Sequence, residues 1–297
     1  KDLRISLTDR CNFRCTYCMP AEIFGERYQF LPKAQILSFK EIDKLVRAFA
    51  ELGVNKIRLT GGEPLLRSRV EDLIRRLLKI EGIEDIALTT NGYLLEQQAQ
   101  TLWDAGLRRV TVSLDTLDDD VFGRMNGRGF GTGRVLAGIK KAIDLGFHPI
   151  KINVVTQKGV NDQSIVDLAK YFKTQGCIVR FIEYMDVGNL NHWMLDEVVS
   201  AAEIVNMITE EIPAQPETPN YVGEVAQRYR YNDGDGEFGV IASVTQPFCG
   251  DCTRARLSTD GKLVTCLFAT DGLDLMGPLR AGASSREIKE IVASAWK

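Results

Sequence analysis

Histidine is nearly absent. The 297-residue chain has only His148 and His192, which argues against a histidine-based catalytic triad or a histidine-rich metal site. No run of about 18 apolar residues and no secretory apolar region is present, so neither a membrane span nor a signal peptide is expected. An excess of positive charge is missing too. With 37 Lys and Arg against 40 Asp and Glu, the net charge is −3, so no overall basic field draws the chain to nucleic acid or membrane. Any anion site must be a local cluster of cations. Low-complexity segments are absent, and no repeat is visible beyond an alternation of strand and helix patterns. Cysteine is scarce and odd in number, at seven, and six of these fall into two triplets. Such clusters need a reducing compartment rather than a disulfide framework, so a cytoplasmic location is expected. The sequence opens at Lys1 rather than Met, and preceding residues are expected.

What the chain does have is the stretch Cys11-Asn12-Phe13-Arg14-Cys15-Thr16-Tyr17-Cys18. It places three thiols as Cys-x3-Cys-x2-Cys. Thiolates are soft ligands that hold iron–sulfur clusters, and a four-iron cube wants four ligands. Three leave one iron open for a ligand that is not protein, such as the amino and carboxylate groups of S-adenosylmethionine (SAM). The spacing, with Tyr17 before Cys18, resembles the radical SAM superfamily. Zinc or free core cysteines are the plainer alternative, although zinc knuckles favour paired Cys-x2-Cys units or a histidine partner.

The first part alternates β-patterns with amphipathic helices. Strands are predicted at residues 3–8, 56–60, 85–90, 109–115, 149–156 and 178–185, with helices near 38–52, 68–80, 94–105, 133–145 and 162–175. Ser38 with Glu41 is a capping-box signature, and glycines 53, 106, 146 and 176 follow helices. Six such units imply an α/β fold with a parallel sheet, closed most economically as a partial (β/α)6 barrel of TIM type. From about residue 186 the pattern changes to an α+β region. It holds a helix at 200–212, an extended proline-marked connector, strands over 221–244 with Asp233-Gly234-Asp235-Gly236 as their turn, a hairpin at 254–265 around Asp260-Gly261, and a final helix near 284–296. The expected division is 1–185 and 186–297.

Strand residues alternate between two faces. Arg4, Ser6 and Thr8 share one face, as do Lys56, Arg58 and Thr60, then Thr111, Ser113 and Asp115, then Lys151 and Asn153. Their apolar neighbours must meet the helices. The polar sets then face the barrel axis, where closed barrels ordinarily pack aliphatics. A barrel lined by Arg4, Lys56, Arg58, Lys151 and Arg180 should be wet and hold an anion. Scattered surface cations on edge strands are the alternative.

Gly61-Gly62-Glu63-Pro64 follows the second strand, where glycines let backbone approach a ligand closely. In this position it resembles the superfamily motif that receives the amino group of SAM. Thr89, Ser113 and Met185 stand at or near other strand ends; Asn91 is either a ligand contact or part of a plain turn. A second triplet, Cys249-x2-Cys252-x13-Cys266, can hold another cube or a structural zinc. Cys177 is left over and reads as a buried core thiol. Arg254 and Arg256 face the same way on an extended segment beside this triplet. They suit phosphates or carboxylates; a solvated charge pair is the alternative.

Six stretches together resemble the GTP 3′,8-cyclases that open molybdenum-cofactor biosynthesis. They are Asp9–Pro20, Leu59–Leu65, Thr89–Gly92, Ser113–Leu117, Arg180–Met185 and Phe248–Leu257. The resemblance implies that Cys11, Cys15 and Cys18 hold the SAM cluster and that Tyr17, Gly62, Glu63, Ser113 and Met185 contact SAM. Cys249, Cys252 and Cys266 would hold a second [4Fe–4S] cluster, whose open iron meets guanine. GTP would be bound by Arg4, Lys56, Arg58, Thr89, Lys151, Arg180, Arg254 and Arg256. It further implies an electron donor, a downstream pterin-forming enzyme, a homodimer, and a C-terminal Gly-Gly tail that the sequence, ending at Trp296-Lys297, does not include. Two rivals remain: a radical SAM enzyme acting on a peptide, and a non-catalytic iron–sulfur or zinc module.

Overall fold

Alternation in the first strand sets the pattern of the sheet: Leu3 and Ile5 are fully buried against helices, while Arg4 points to the other side. The computed structural model describes residues 1–185, 193–221, 223–247, 253–267, 269 and 271–296. Its first six strands are β1 (Asp2–Ser6), β2 (Lys56–Thr60), β3 (Asp85–Thr90), β4 (Arg109–Ser113), β5 (Ile150–Thr156) and β6 (Ile178–Glu183). Between them run α1 (Phe39–Ala50), α2 (Val70–Leu77), α3 (Leu95–Asp104), α4 (Asp119–Met125), α5 (Gly133–Leu145) and α6 (Ile165–Thr174). The C-terminal part adds α7 (Ala201–Glu211), β7 (Ala214–Glu217), β8 (Gln227–Tyr231), β9 (Glu237–Ile241), β10 (Arg254–Leu257), β11 (Lys262–Val264), β12 (Leu273–Asp274), α8 (Met276–Arg280) and α9 (Ser285–Ala295).

The six βα units form the expected partial barrel, with β1 to β6 parallel and side by side. The sheet then extends further than the sequence predicts. Strand β10 pairs parallel with β1, and β9 pairs parallel with β6. Antiparallel strands finish both edges: β11 and β12 beyond β10, and β8 and β7 beyond β9. Residues 214–217, read as a connector, are an edge strand. Proline is tolerated there because an edge has only one neighbour to satisfy. The short helices α4 and α8 were not anticipated; at seven and five residues, each is shorter than the stretch of roughly 11 over which helical periodicity is read.

Local chemistry explains the helix ends. Ser38 and Glu41 make the capping box, with Ser38 N donating to Glu41 Oε2 at 2.6 Å, and Ser200–Glu203 and Ser284–Glu287 repeat it. Helix α1 buries Ile42, Leu45, Val46 and Phe49, and α9 covers it with Trp296 edge-on to Phe49.

One buried acid joins the C-terminal part to the barrel. Glu183, fully buried at the end of β6, accepts from Ala201 N (2.7 Å), Val244 N (2.7 Å), Thr245 N (2.8 Å) and the Thr245 hydroxyl. Four donors replace the water that a carboxylate loses on burial. The start of α7 and the chain after β9 are thereby fixed to the strand end that carries Met185.

Candidate active site

The cysteine loop follows β1, and Arg14 builds it. Its buried guanidinium donates from Nε to Phe24 O (2.6 Å) and from Nη1 to Cys11 O (2.8 Å) and Phe13 O (2.7 Å). The ring of Phe30 lies against both Arg14 and Arg10. Beyond β3, Asn91 Nδ2 reaches Asn12 Oδ1 at 2.8 Å and approaches Cys11 Sγ at 3.8 Å. Beyond β4, the buried carboxylate of Asp115 accepts from Tyr17 Oη and from Val155 N, both at 2.8 Å. Three strand ends therefore position one loop.

The Gly61-Gly62 turn presses on this loop. A Cβ on Gly62 would lie 2.2 Å from Arg10 O, and one on Gly61, whose φ is 152°, would lie 2.7 Å from Thr8 O. Gly62 N donates to Thr8 O (2.7 Å) and Glu63 N to Arg10 O (2.8 Å). The glycines thus accommodate protein backbone, a close approach that the sequence ascribes to a ligand. Glu63 is buried beneath the turn and accepts from Leu65 N, the Thr90 hydroxyl and Asn91 N at 2.7–2.9 Å. Burial lifts its carboxyl to about 7.

Cys11 and Cys15 are half-buried and Cys18 is exposed. Burial pushes the Cys11 thiol up to about 11, and burial with the nearby Asp115 raises Cys15 well above the ordinary range. Such thiols lose their protons to solvent most readily as the sulfurs bind a cation, which the irons of a cluster would supply. Among the described residues no three His, Cys, Asp or Glu are grouped as for a single metal ion. A cube takes its thiolates on three different irons, so it needs them further apart than one ion does. The loop fits a [4Fe–4S] cluster.

The inward faces of the strands open on a cavity of about 730 Å³, within the range of small-molecule sites. Of the residues singled out in the sequence, Arg4, Lys56, Arg58, Thr89, Arg180, Met185, Arg254, Arg256 and Cys266 line it. Lys151 instead lines an adjoining cavity of about 470 Å³ toward the N-terminal ends of the strands, which shares Lys56, Arg58 and Arg180. Arg58 Nη1 donates to the hydroxyls of Thr89 (3.2 Å) and Thr111 (3.1 Å). The Nε atoms of Arg4 and Arg58 are buried with no hydrogen-bond partner, as is Asn153 Oδ1. Buried guanidinium nitrogens without acceptors suit an anion. Burial and mutual repulsion push Arg4 down to about 9, Arg180 to about 10 and Lys151 to about 7.

Tyr17 and Gly62 stand at the cysteine loop, and Ser113 lies beside Asn153 across β4 and β5. Cys266 is exposed on the cavity wall, while Cys249 and Cys252 lie outside the described residues. Cys177 is buried in the core. Sequence reasoning gave no role to Arg14, Asn153, Tyr221 or Glu224. Arg14 sits inside the cysteine motif and Asn153 on a polar strand face, so both were visible. Tyr221 and Glu224 fall in the stretch read as strand-like, but the strand starts only at Gln227, and both enter the cavities from irregular chain before it.

Residues 5–172 match the radical SAM superfamily, and residues 177–297 match the family described as Molybdenum Cofactor Synthesis C. A GTP 3′,8-cyclase from Staphylococcus epidermidis is 50% identical over 297 residues, covering 100% of this chain and 87% of its own. One from Acidothermus cellulolyticus is 54% identical over 288 residues, covering 97% of this chain and 80% of its own. The chain belongs to the GTP 3′,8-cyclase family of radical SAM enzymes. In fold it is similar to Streptococcus suis SuiB, with a TM-score of 0.68 and 15% identity over 92% of this chain and 62% of that one. The Gly62 contact offers a direct test of the loop. Gly62→Ala should displace the Arg10 carbonyl and cut the iron bound after anaerobic reconstitution by up to about half, the share of the first cluster. Gly133→Ala, where a Cβ meets nothing within 4 Å, should bind iron normally. Equal iron in the two variants would show that the turn does not hold the cysteine loop.

Proposed function

We propose that this chain converts GTP to 3′,8-cyclo-7,8-dihydro-GTP, the first step of molybdenum-cofactor biosynthesis. The observation that carries the reading is the barrel that holds the three-thiol loop on its strand ends and buried, acceptor-less guanidinium nitrogens on its inner face. Cys11, Cys15 and Cys18 hold a [4Fe–4S] cluster, with Tyr17, Gly62, Glu63, Ser113 and Met185 around SAM. When bound, this pair supplies a 5′-deoxyadenosyl radical for each electron delivered. Arg4, Lys56, Arg58, Thr89, Lys151, Arg180, Arg254 and Arg256 bind GTP. Their charges draw the triphosphate into the barrel and fix the ribose in place. The 3′ hydrogen leaves the ribose, C3′ bonds to guanine C8, and an electron and a proton complete the reduced ring.

Cys249, Cys252 and Cys266 of residues 186–297 would hold a second [4Fe–4S] cluster, which would supply a binding point for guanine. The opening of Cys266 onto the cavity beside Arg254 and Arg256 supports this. An external one-electron donor, a downstream pterin-forming enzyme and a homodimer belong to the same proposal. So does a cytoplasmic setting, since thiolate clusters need reducing conditions. Among the described residues no helix is long and apolar enough to cross a membrane. A peptide substrate would want an open groove, whereas this cavity is walled by cations.

GTP deuterated at C3′ should pass its deuterium to 5′-deoxyadenosine; unlabelled 5′-deoxyadenosine as the sole product would remove the proposed abstraction.

Lys151 gives binding a pH dependence. Its amine is neutral above about 7 in the free protein, whereas an unfolded lysine keeps its proton to about 10.4. Between these values the unfolded chain holds the extra proton, so this group makes stability rise with pH and contributes no slope below 7. A bound triphosphate raises the amine's pKa, so GTP should take up as much as one proton at pH 8. Calorimetry in buffers of different ionisation enthalpy reads that uptake directly. Lys151→Met should abolish it. Equal uptake in the variant and the wild type would assign the proton elsewhere.

A further inference from the structure

One carboxylate stands where an anionic substrate should go. Glu224 lies on the segment between β7 and β8 and borders both cavities. Its side chain is 3% exposed, and its Oε1 is 3.8 Å from Arg180 Nη2. Asn220 N donates to its other oxygen at 2.7 Å, closing the segment on itself. Nearby, Lys56 Nζ lies 4.1 Å over the ring of Tyr221, so two residues of the segment engage cations of the proposed GTP site. The start of the segment is held by Arg228, which donates to Thr218 O at 2.7 Å. Among the described residues lining the larger cavity, the only other acid is Asp2.

We propose that Glu224 is a counter-ion displaced by the substrate: it holds Arg180 in the free protein and yields it to the substrate's phosphates. The proposal rests on the reading that this barrel binds GTP. A buried cation cluster with no counter-charge repels itself. An internal carboxylate relieves that repulsion in the free protein. It must leave Arg180 when phosphate arrives, so it lowers the affinity of every ligand that needs that guanidinium by the same factor. Charge that faces the ligand in a dry site acts strongly, whereas the same charge on the surface is screened.

The test compares wild type, Glu224→Gln and Glu224→Ala, loaded with clusters under anaerobic conditions. The probes are GTP, GDP, tripolyphosphate and guanosine. Removing the charge should tighten GTP, GDP and tripolyphosphate alike, about tenfold each. Guanosine binding should not change, which also reports that the site remains folded. Glu211→Gln removes the same charge from the surface, where Glu211 pairs with Lys170, and should change nothing. Weaker or unchanged tripolyphosphate binding in both Glu224 variants would overturn the proposal, as would equal tightening in Glu211→Gln. Tightened tripolyphosphate in a protein that does not bind GTP would support Glu224 and refute the GTP reading alone.

Discussion

Inward-facing cations between parallel strands repel one another, and burial removes the water that would screen them. An ordinary barrel avoids this by packing branched aliphatics around its axis. Here Arg4, Arg58, Lys151 and Arg180 occupy those positions; burial pushes all four pKa values down, and repulsion from Arg58 adds to this at Arg4, Lys151 and Arg180. Nothing about the fold requires that arrangement, since the apolar faces of the same strands already meet the helices. The strain becomes useful when an anion arrives. Each phosphate contact then relieves repulsion as well as forming a charge-assisted bond, and binding energy is concentrated where the ribose must be held.

Four other charged residues carry the rest of the geometry, each buried and each with partners. Arg14 ties the cysteine loop to its own carbonyls. Glu63 joins the Gly-Gly turn to the end of β3, and Asp115 joins Tyr17 to β5. Glu183 fixes the chain after β9 and the start of α7 to the end of β6. All four use their side chains to satisfy backbone or side-chain groups at the ends of the strands. Catalytic geometry of this kind tolerates little displacement, about a hundredfold in rate for about 1 Å. Rigid links at the strand ends are a physical means of holding it.

Much of this was legible before the structure. Thiol spacing marks the cluster loop, and alternation within β1, β2 and β5 shows which cations turn inward. What could not be read was the pairing of β9 and β10 with the barrel strands. Both are short and reach their neighbours across more than 50 residues of sequence, so no local periodicity records the partner. That pairing places Arg254 and Arg256 beside Asp2 and Arg4, and so brings the second arginine pair into the barrel. The reason for Gly62 was equally hidden, because a close approach between two loops leaves only the small residue and not its neighbour. Glu224 arrives on a segment without regular structure, and only the fold shows which cation it faces.

The central claim is that the cysteine loop supplies chemistry while the cationic barrel supplies binding, and that the two are separable. It is tested most directly by replacing Cys11, Cys15 and Cys18 together with Ala. GTP affinity, SAM cleavage and bound iron are then measured side by side in anaerobically reconstituted protein. The expected result is no cleavage of SAM, GTP bound as in the wild type, and iron retained by the second cysteine triplet. Loss of GTP binding, or iron falling to zero, would contradict the separation.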